Sequence, residues 1–331
     1  RYSGRLNYNV YPVKWFKTGL NLSLSRTISN YSTSTSGSSS SYNNLTRFIR
    51  GMAPMYPVHK HDLATGAYLN AAGETTTDPS QYVYDYDGYR LANAGRDALA
   101  ETEFNERYLA RNNQSANTYV TFFPIEGLNL TANYAYHNVD YREKEYENPW
   151  VGDGTAGPGR LDQNATRRTT QTLNQLVSYT RDFGKHTVDA MVGHEYNDNS
   201  YDQLKYGTAD EFITGYLSPA NFVRRYSNVS TLGSPGWSLG VNRMESYLAR
   251  ANYIYDDKYY LSGSLRADGS SKFAKDKWGV FYSVGGGWRF TSEEFMEGTK
   301  SWLDNAKLRL SYGVIGNQNG APEYGHHTWS Y

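Results

Sequence analysis

The chain has 331 residues, no cysteine, and 33 basic against 33 acidic side chains, so its formal net charge is zero. That length allows one large or two ordinary domains; the lack of cysteine excludes a disulfide framework and a thiolate zinc site, and the balanced charge leaves no global field to attract nucleic acid. Mean hydropathy is −0.73 and no apolar run reaches the roughly 18–20 residues of a membrane helix, but a barrel strand turns only alternate residues to lipid and stays polar on average.

Taken in chain order, the residues alternate with a period of two, the signature of a strand with one apolar and one polar face. About ten strands are expected, in five hairpins. The chain opens on Arg1-Tyr2-Ser3-Gly4, which already reads as strand and carries no signal peptide, as in an interior fragment of a longer precursor. The first pair is Tyr2–Tyr11 with Gly19–Ile28; Leu6, Tyr8 and Val10 oppose Arg5, Asn7 and Asn9. The second is Ala116–Phe123 with Leu128–Asn138, turning at Pro124-Ile125-Glu126-Gly127, and Leu128, Leu130, Ala132, Tyr134 and Tyr136 form its apolar stripe. The third is Thr169–Arg181 with Thr187–Tyr196, and the fourth Glu245–Tyr255 with Tyr259–Ala267, turning at Asp256-Asp257-Lys258. The fifth is Trp278–Phe290 with Ala306–Gly313, bridged by a short helix Ser292–Leu303 capped by Ser292.

The connections are unequal. One set is tight: 12–18, 124–127, 182–186, 256–258 and the helical 291–305. The alternate set is mostly long: 29–115, 139–168 and 197–244, with 268–277 as its short member. Residues 33–43 read as a flexible Ser/Thr/Gly tip and 44–54 as a short helix. Long structureless loops argue against a compact soluble domain. They suit an outer-membrane barrel, with short periplasmic turns and long extracellular loops. The fold class expected is therefore all-β: an antiparallel transmembrane β-barrel segment of about ten strands, open rather than closed, since a piece of a larger barrel keeps its gentle curvature.

The alternation assigns the faces. Leu128, Leu130, Tyr134, Leu261, Leu265, Val280, Val284, Leu308 and Leu310 would meet lipid. Arg250, Arg266, Arg289 and Arg309 fall on the opposite phase and would line the lumen, as the cost of an arginine in lipid demands. Lumen carboxylates such as Glu245, or those of a plug, are the plainer partners of these arginines, and a direct substrate contact is the other reading. Of 32 Tyr, 12 Phe and 7 Trp, several gather at the short turns (Tyr11, Trp15, Phe16, Phe122, Phe123, Tyr255, Tyr259, Tyr260, Phe290, Trp302), as an interfacial girdle would. Tyr82, Tyr84, Tyr146, Trp150, Tyr201 and Trp237 lie in the long loops and are the candidates for contact with substrate or a partner.

Catalytic signals are weak. His59-Lys60-His61 and His326-His327 lack an evident third ligand. Asp85-Tyr86-Asp87-Gly88 begins like a calcium loop but lacks the later acid. Gly285-Gly286-Gly287 sits mid-strand without a following Lys-Ser/Thr, which favours a bend or a close approach over a phosphate cradle. No Ser/His/Asp set has local support, so neither an enzyme nor a cofactor is expected.

Specific motifs add a resemblance. Ser264-Leu265-Arg266-Ala267-Asp268-Gly269-Ser270-Ser271-Lys272-Phe273, followed by Lys277-Trp278-Gly279-Val280-Phe281-Tyr282-Ser283-Val284-Gly285-Gly286-Gly287-Trp288-Arg289, resembles the R-x-D-G-S-S-x-F…W-G-x-F-P-S-x-x-x-x-W-R stretch of SusC/RagA-like TonB-dependent transporters. Tyr282 stands where that family usually has proline. Glu293-Glu294-Phe295, Trp302–Gly313, Gly316-Asn317-Gln318, Pro54-Met55-Tyr56-Pro57-Val58 and Phe183-Gly184-Lys185-His186 extend the similarity. The resemblance implies an outer-membrane barrel of about 22 strands with an N-terminal plug, in a Bacteroidetes-type bacterium. It also implies a SusD-like lipoprotein lid, energy from the TonB complex with ExbB and ExbD, and a glycan or peptide ligand. Residues 1–331 would be a partial barrel without plug or TonB box. A passive porin or adhesin barrel is the alternative.

Overall fold

The computed structural model describes residues 1–30, 56–86, 94–156, 159–224, 236–273 and 275–318. The expected helix at 44–54, the tip at 33–43, Pro54-Met55, Asp87-Gly88 and His326-His327 lie outside them.

Ten long strands follow one another in a single antiparallel sheet: β1 Tyr2–Val13, β2 Phe16–Ser29, β3 Glu106–Phe122, β4 Leu128–Glu147, β5 Arg160–Phe183, β6 His186–Glu211, β8 Gly236–Tyr255, β9 Tyr259–Ser270, β10 Trp278–Trp288 and β11 Leu308–Gly313. The short β7, Phe222–Arg224, pairs with the outer end of β6. Each of the ten pairs with the next of the ten along the chain, so the sheet is a meander with β7 set off its path. Among the described residues β1 pairs only with β2 and β11 only with β10, so the sheet is open, as expected.

The tight turns all fall at one end, here called the inner end. Asp256 and Asp257 adopt φ of 51° and 54° between β8 and β9, the left-handed region that Asp tolerates better than most residues, in a turn closed by the Lys258 N–H donating to the Tyr255 carbonyl oxygen at 2.9 Å. Gly127 (φ 82°) closes the β3–β4 turn, and a Cβ there would lie 2.3 Å from the Thr180 carbonyl oxygen of β5.

At the other, outer end the strands outrun the expectation. β3 begins ten residues earlier than expected, β4 runs nine further, and β6 reaches Glu211. The expected loops 139–168 and 197–244 therefore shrink to connections 148–159 and 212–235, the latter holding β7. At about 3.3 Å per residue, the 26 residues of β6 span roughly 85 Å, against the 9–11 residues a membrane strand needs. Cross-strand polar pairs sustain these extensions. Arg107 sits directly opposite Glu145 and bonds to it, Arg167 Nε lies 2.9 Å from Asp140, and Arg243 Nε 2.8 Å from Asp198. An unexpected seven-residue helix, α1 Ala98–Phe104, is capped by Asp97, whose carboxylate accepts the Leu99 and Ala100 N–H groups.

The expected helix Ser292–Leu303 is instead two 3-10 turns, Phe290–Ser292 and Glu294–Thr299, and Ser292 is not a cap. Glu293 precedes the second turn without capping it. Its carboxylate accepts the Tyr259 hydroxyl (2.6 Å), the Trp288 indole N–H (3.0 Å) and the Lys258 ammonium (3.2 Å). These bonds clamp the β8–β9 turn to the β10–β11 connection. They also hold the Glu293 carboxyl below its ordinary range, the Tyr259 hydroxyl contributing most. A depressed folded-state value gives stability that is full above the unfolded carboxyl value and is lost as pH falls through the folded one. Hydrogen exchange across 289–307 is therefore expected to rise in acid, below about pH 4, and Glu293→Gln to remove that dependence. An unchanged acid profile in Glu293→Gln would remove Glu293 from this role.

Candidate functional site

Directly paired residues of a sheet share a face, so the register sorts the side chains. Leu130, Val177 and Val192 form one row across β4, β5 and β6, and Tyr134, Leu173 and Tyr196 another. Leu128 pairs with Tyr179, Leu265 with Ala249 and Tyr282, and Val280 with Ala267. Leu261 and Leu310 both pair with Gly286, Val284 with Tyr312, and Leu308 with Trp288. These rows join into one apolar face near the inner end, with Leu265 52%, Val280 59% and Leu310 81% exposed.

Arg250, Arg266 and Arg309 occupy the opposite, polar face, and Arg289 follows β10 in the same phase. Arg250 reaches Asp189 at 3.4 Å. Arg266 reaches Asp268 at 2.6 Å, Glu195 at 3.2 Å and the Ser246 hydroxyl at 3.1 Å. Arg289 bonds to Asp257 of the β8–β9 turn. Glu245 corrects the expectation. It shares the phase of Tyr247 and Ala249, lies at the outer edge of the apolar face, and bonds to His194 (3.2 Å) and the Tyr247 hydroxyl (2.8 Å) rather than to an arginine.

The motif 264–289 works as a packing device. Gly269 lies under the Trp278 ring, where a Cβ would come within 2.9 Å. Gly279 and Gly316 both approach the Phe281 ring, with Cβ positions 2.8 Å and 2.2 Å from it. The segment after β11 is thereby seated against β10, beside a cleft of about 480 Å³ that includes Asp268, Trp278, Phe281 and Gln318. Of the three central glycines, Gly286 faces open space, while Gly285 and Gly287 meet Ser262 and Lys307.

At the outer end aromatic rings form a chain. Residues 56–86 fold on themselves through bridges His59–Tyr84, His61–Tyr68 and Leu69–Thr75. Tyr68 stacks on Tyr82 (4.1 Å between centroids) and His59 on Tyr84 (5.1 Å). Tyr84 meets Phe104 at the end of α1 (5.7 Å), and Phe104 meets Trp150 (5.5 Å). The Tyr84 hydroxyl donates to Glu103, and that bond, more than burial, pushes its pKa up to about 12. Trp150 is placed by buried Asn148: the Asn148 side-chain oxygen accepts the Trp150 and Val151 N–H groups, each at 2.9 Å, while Asn105 accepts from Asn148.

Three of the six aromatic candidates, Tyr82, Tyr84 and Trp150, thus join one chain of rings, and the other three do not. All three of those are on strands, not loops. Tyr201 stands on the polar face of β6, under the Arg168 guanidinium at 5.0 Å. Trp237 is 71% exposed at the start of β8, its indole donating to Asp202 at 3.1 Å. Tyr146 is 3% exposed, packed with Leu161 and Phe222, and donates to Glu211 at 2.6 Å; it is a packing residue without a free face for ligand. Sequence reasoning missed Phe104, Asn105 and Asn148, of which Asn148, preceding Pro149 and Trp150, carried a turn signal.

His59 and His61 belong to the ring chain, and the His61 Nδ1 atom is 2.7 Å from the His59 carbonyl oxygen. Among the described residues no group of three His, Asp or Glu side chains could hold a metal ion.

No protein-family model matches the chain. Curated relatives do. It is 32% identical over 152 residues to the TonB-dependent receptor P39 of Formosa agariphila, a match covering 43% of this chain and 13% of the relative. It is 30% identical over 171 residues to the TonB-dependent receptor SusC of Bacteroides thetaiotaomicron (51% and 15%), and 26% identical over 254 residues to the Formosa agariphila receptor P3 (74% and 24%). The chain thus spans about a quarter or less of these relatives' length. In fold it is similar to the RagAB peptide transporter, with a TM-score of 0.72 at 21% identity, covering 98% of this chain and 33% of that one.

Proposed function

We propose that this chain is a barrel segment of a SusC/RagA-like TonB-dependent receptor and forms part of the wall of an outer-membrane nutrient importer; the similarity to SusC and the likeness in fold to the RagAB transporter support the reading. The carrying observation is the pairing of one continuous apolar face with one polar face, between short inner turns and aromatic-bearing outer structure. On this reading Leu128, Leu130, Tyr134, Leu261, Leu265, Val280, Val284, Leu308 and Leu310 meet lipid, where only uncharged side chains are cheap. Arg250, Arg266, Arg289 and Arg309 line the lumen. The outer strand extensions stand clear of the bilayer and carry the ring chain toward the ligand.

The cargo is a glycan or a peptide. Exposed ring faces suit either, since they give large contact area at low entropic cost. A SusD-like lipoprotein lid closes over the outer end, and the TonB complex supplies energy through parts of the receptor beyond residues 1–331. The test is made in the full-length receptor, with surface expression matched to the parent. Tyr82→Ala and Trp150→Ala are each expected to weaken binding of the cognate oligosaccharide or peptide by about tenfold or more, as loss of an anchoring aromatic does. Import should also stop when the proton gradient is collapsed. Import that persists without the gradient would identify a passive porin. Unchanged binding in both variants, with loss of binding in Lys185→Ala at an inner turn, would place the ligand at the wrong end.

A further inference from the structure

Among the described residues, the inner end of the polar face carries more positive charge than the carboxylates beside it neutralise. Tyr260, Gly287 and Arg309 form one row across β9, β10 and β11. Arg289 and Lys307 stand just beyond the last pair of these two strands, Trp288 opposite Leu308. Gly287 makes this gathering possible: a Cβ there would lie 3.0 Å from Lys307 Cε, 3.3 Å from Tyr260 Cβ and 3.6 Å from Arg309 Cγ. The Lys307 ammonium lies over the Tyr260 ring.

Among the described residues one carboxylate answers these three cations. Asp257 takes Arg289 and the Tyr260 hydroxyl (2.7 Å). Arg289 Nε is enclosed yet has no hydrogen-bond partner. Among the described residues neither Lys307 nor Arg309 has a carboxylate within ion-pair distance. Like charges gathered this closely disfavour one another's charged forms, so this arrangement is unfavourable on its own. Burial first, then Arg309 and Arg289, hold the Lys307 ammonium below its ordinary value, the direction expected of a cation awaiting a counter-charge.

We propose that Arg289, Lys307 and Arg309 form a binding site for a carboxylate presented at the inner end of the polar face. Two guanidinium forks and an ammonium suit carboxylate oxygens, which can each accept several charge-assisted bonds. The carboxylate comes either from an acidic side chain elsewhere in the receptor or from acidic cargo.

The test is the rate of amine labelling of Lys307 in the full-length receptor, read by mass spectrometry against the exposed turn residue Lys14. A bound carboxylate should protect Lys307 by about tenfold or more, the effect of one pKa unit, and high salt should release that protection. Salt-sensitive protection in the ligand-free receptor identifies the receptor's own acidic group. Protection that appears only on adding oligogalacturonate identifies acidic cargo. Arg309→Gln should abolish the protection and Arg309→Lys should largely retain it. Labelling as fast as Lys14 in both preparations overturns the site. So does protection indifferent to salt and to Arg309→Gln, which would be burial against Tyr260 alone.

Discussion

Leu265→Arg is expected to destabilise the membrane-inserted receptor by about 2–4 kcal/mol, while Ser264→Arg, one residue earlier, stays within about 1.5 kcal/mol of the parent. Leu265 is exposed on the apolar face between Ala249 and Tyr282. An arginine there must shed its hydration near the bilayer midplane or distort the membrane. Ser264 points to the polar face, where its hydroxyl shares a 2.7 Å hydrogen bond with Ser283. Its replacement forfeits that one bond and keeps its charge in water. Assembly into the outer membrane and heat-modifiable migration of the full-length receptor read the difference, roughly 30- to 1,000-fold in the folding equilibrium for Leu265→Arg. Equal assembly of the two variants, or failure of Ser264→Arg alone, would exchange the lipid and lumen faces.

What the sequence showed and what it hid divide where the apolar face of the sheet ends. Near the inner turns one face must be apolar, so Leu128–Leu130–Tyr134 and Val280–Tyr282–Val284 announce their strands by period two. Farther out along β5 both faces are polar. Gln163, Asn164 and Thr166 along β5 show no stripe, although each is paired on both sides. Ladder hydrogen bonds and cross-strand ion pairs carry those strands, and neither leaves a local pattern in hydropathy. Helix α1 had a capping Asp97 but only seven residues, too few for a helical period to emerge. Ser292 looked like a cap beside two glutamates. Glu293 instead turns to Lys258 and Tyr259, 35 and 34 residues earlier at the β8–β9 turn, and to Trp288 at the end of β10. The ring chain was half legible: Tyr82, Tyr84 and Trp150 stood out as aromatics, but Phe104 and Asn148, which tie them together, act through contacts that no spacing rule encodes.

Tyr146 reads in the sequence as a loop aromatic for a related reason, and its burial sets the last expectation. β6 ends at Glu211, and the chain then folds back so that Phe222 pairs opposite Glu211. That return covers Tyr146 of β4 and Leu161 of β5 and buries Phe222 to 1% exposure. Phe222→Ala is therefore expected to cost about 3–5 kcal/mol, taken from the docking of residues 212–224 rather than from the strands nearer the inner turns. Tyr146→Phe keeps the ring and loses one bond to Glu211, which also accepts the Gly215 N–H, a loss of about 0.5–1.5 kcal/mol. Trp237→Ala removes a ring that is mostly in solvent and should change stability by about 0.5 kcal/mol or less. Limited proteolysis within 212–221 and hydrogen exchange of β5 and β6 beyond the membrane band give the ranking. Phe222→Ala should open this region strongly and Tyr146→Phe weakly. Were Trp237→Ala to loosen it more than Phe222→Ala, the small core at the outer end would have to be centred on β8, and the fold-back of 212–224 would not be what supports the extended strands.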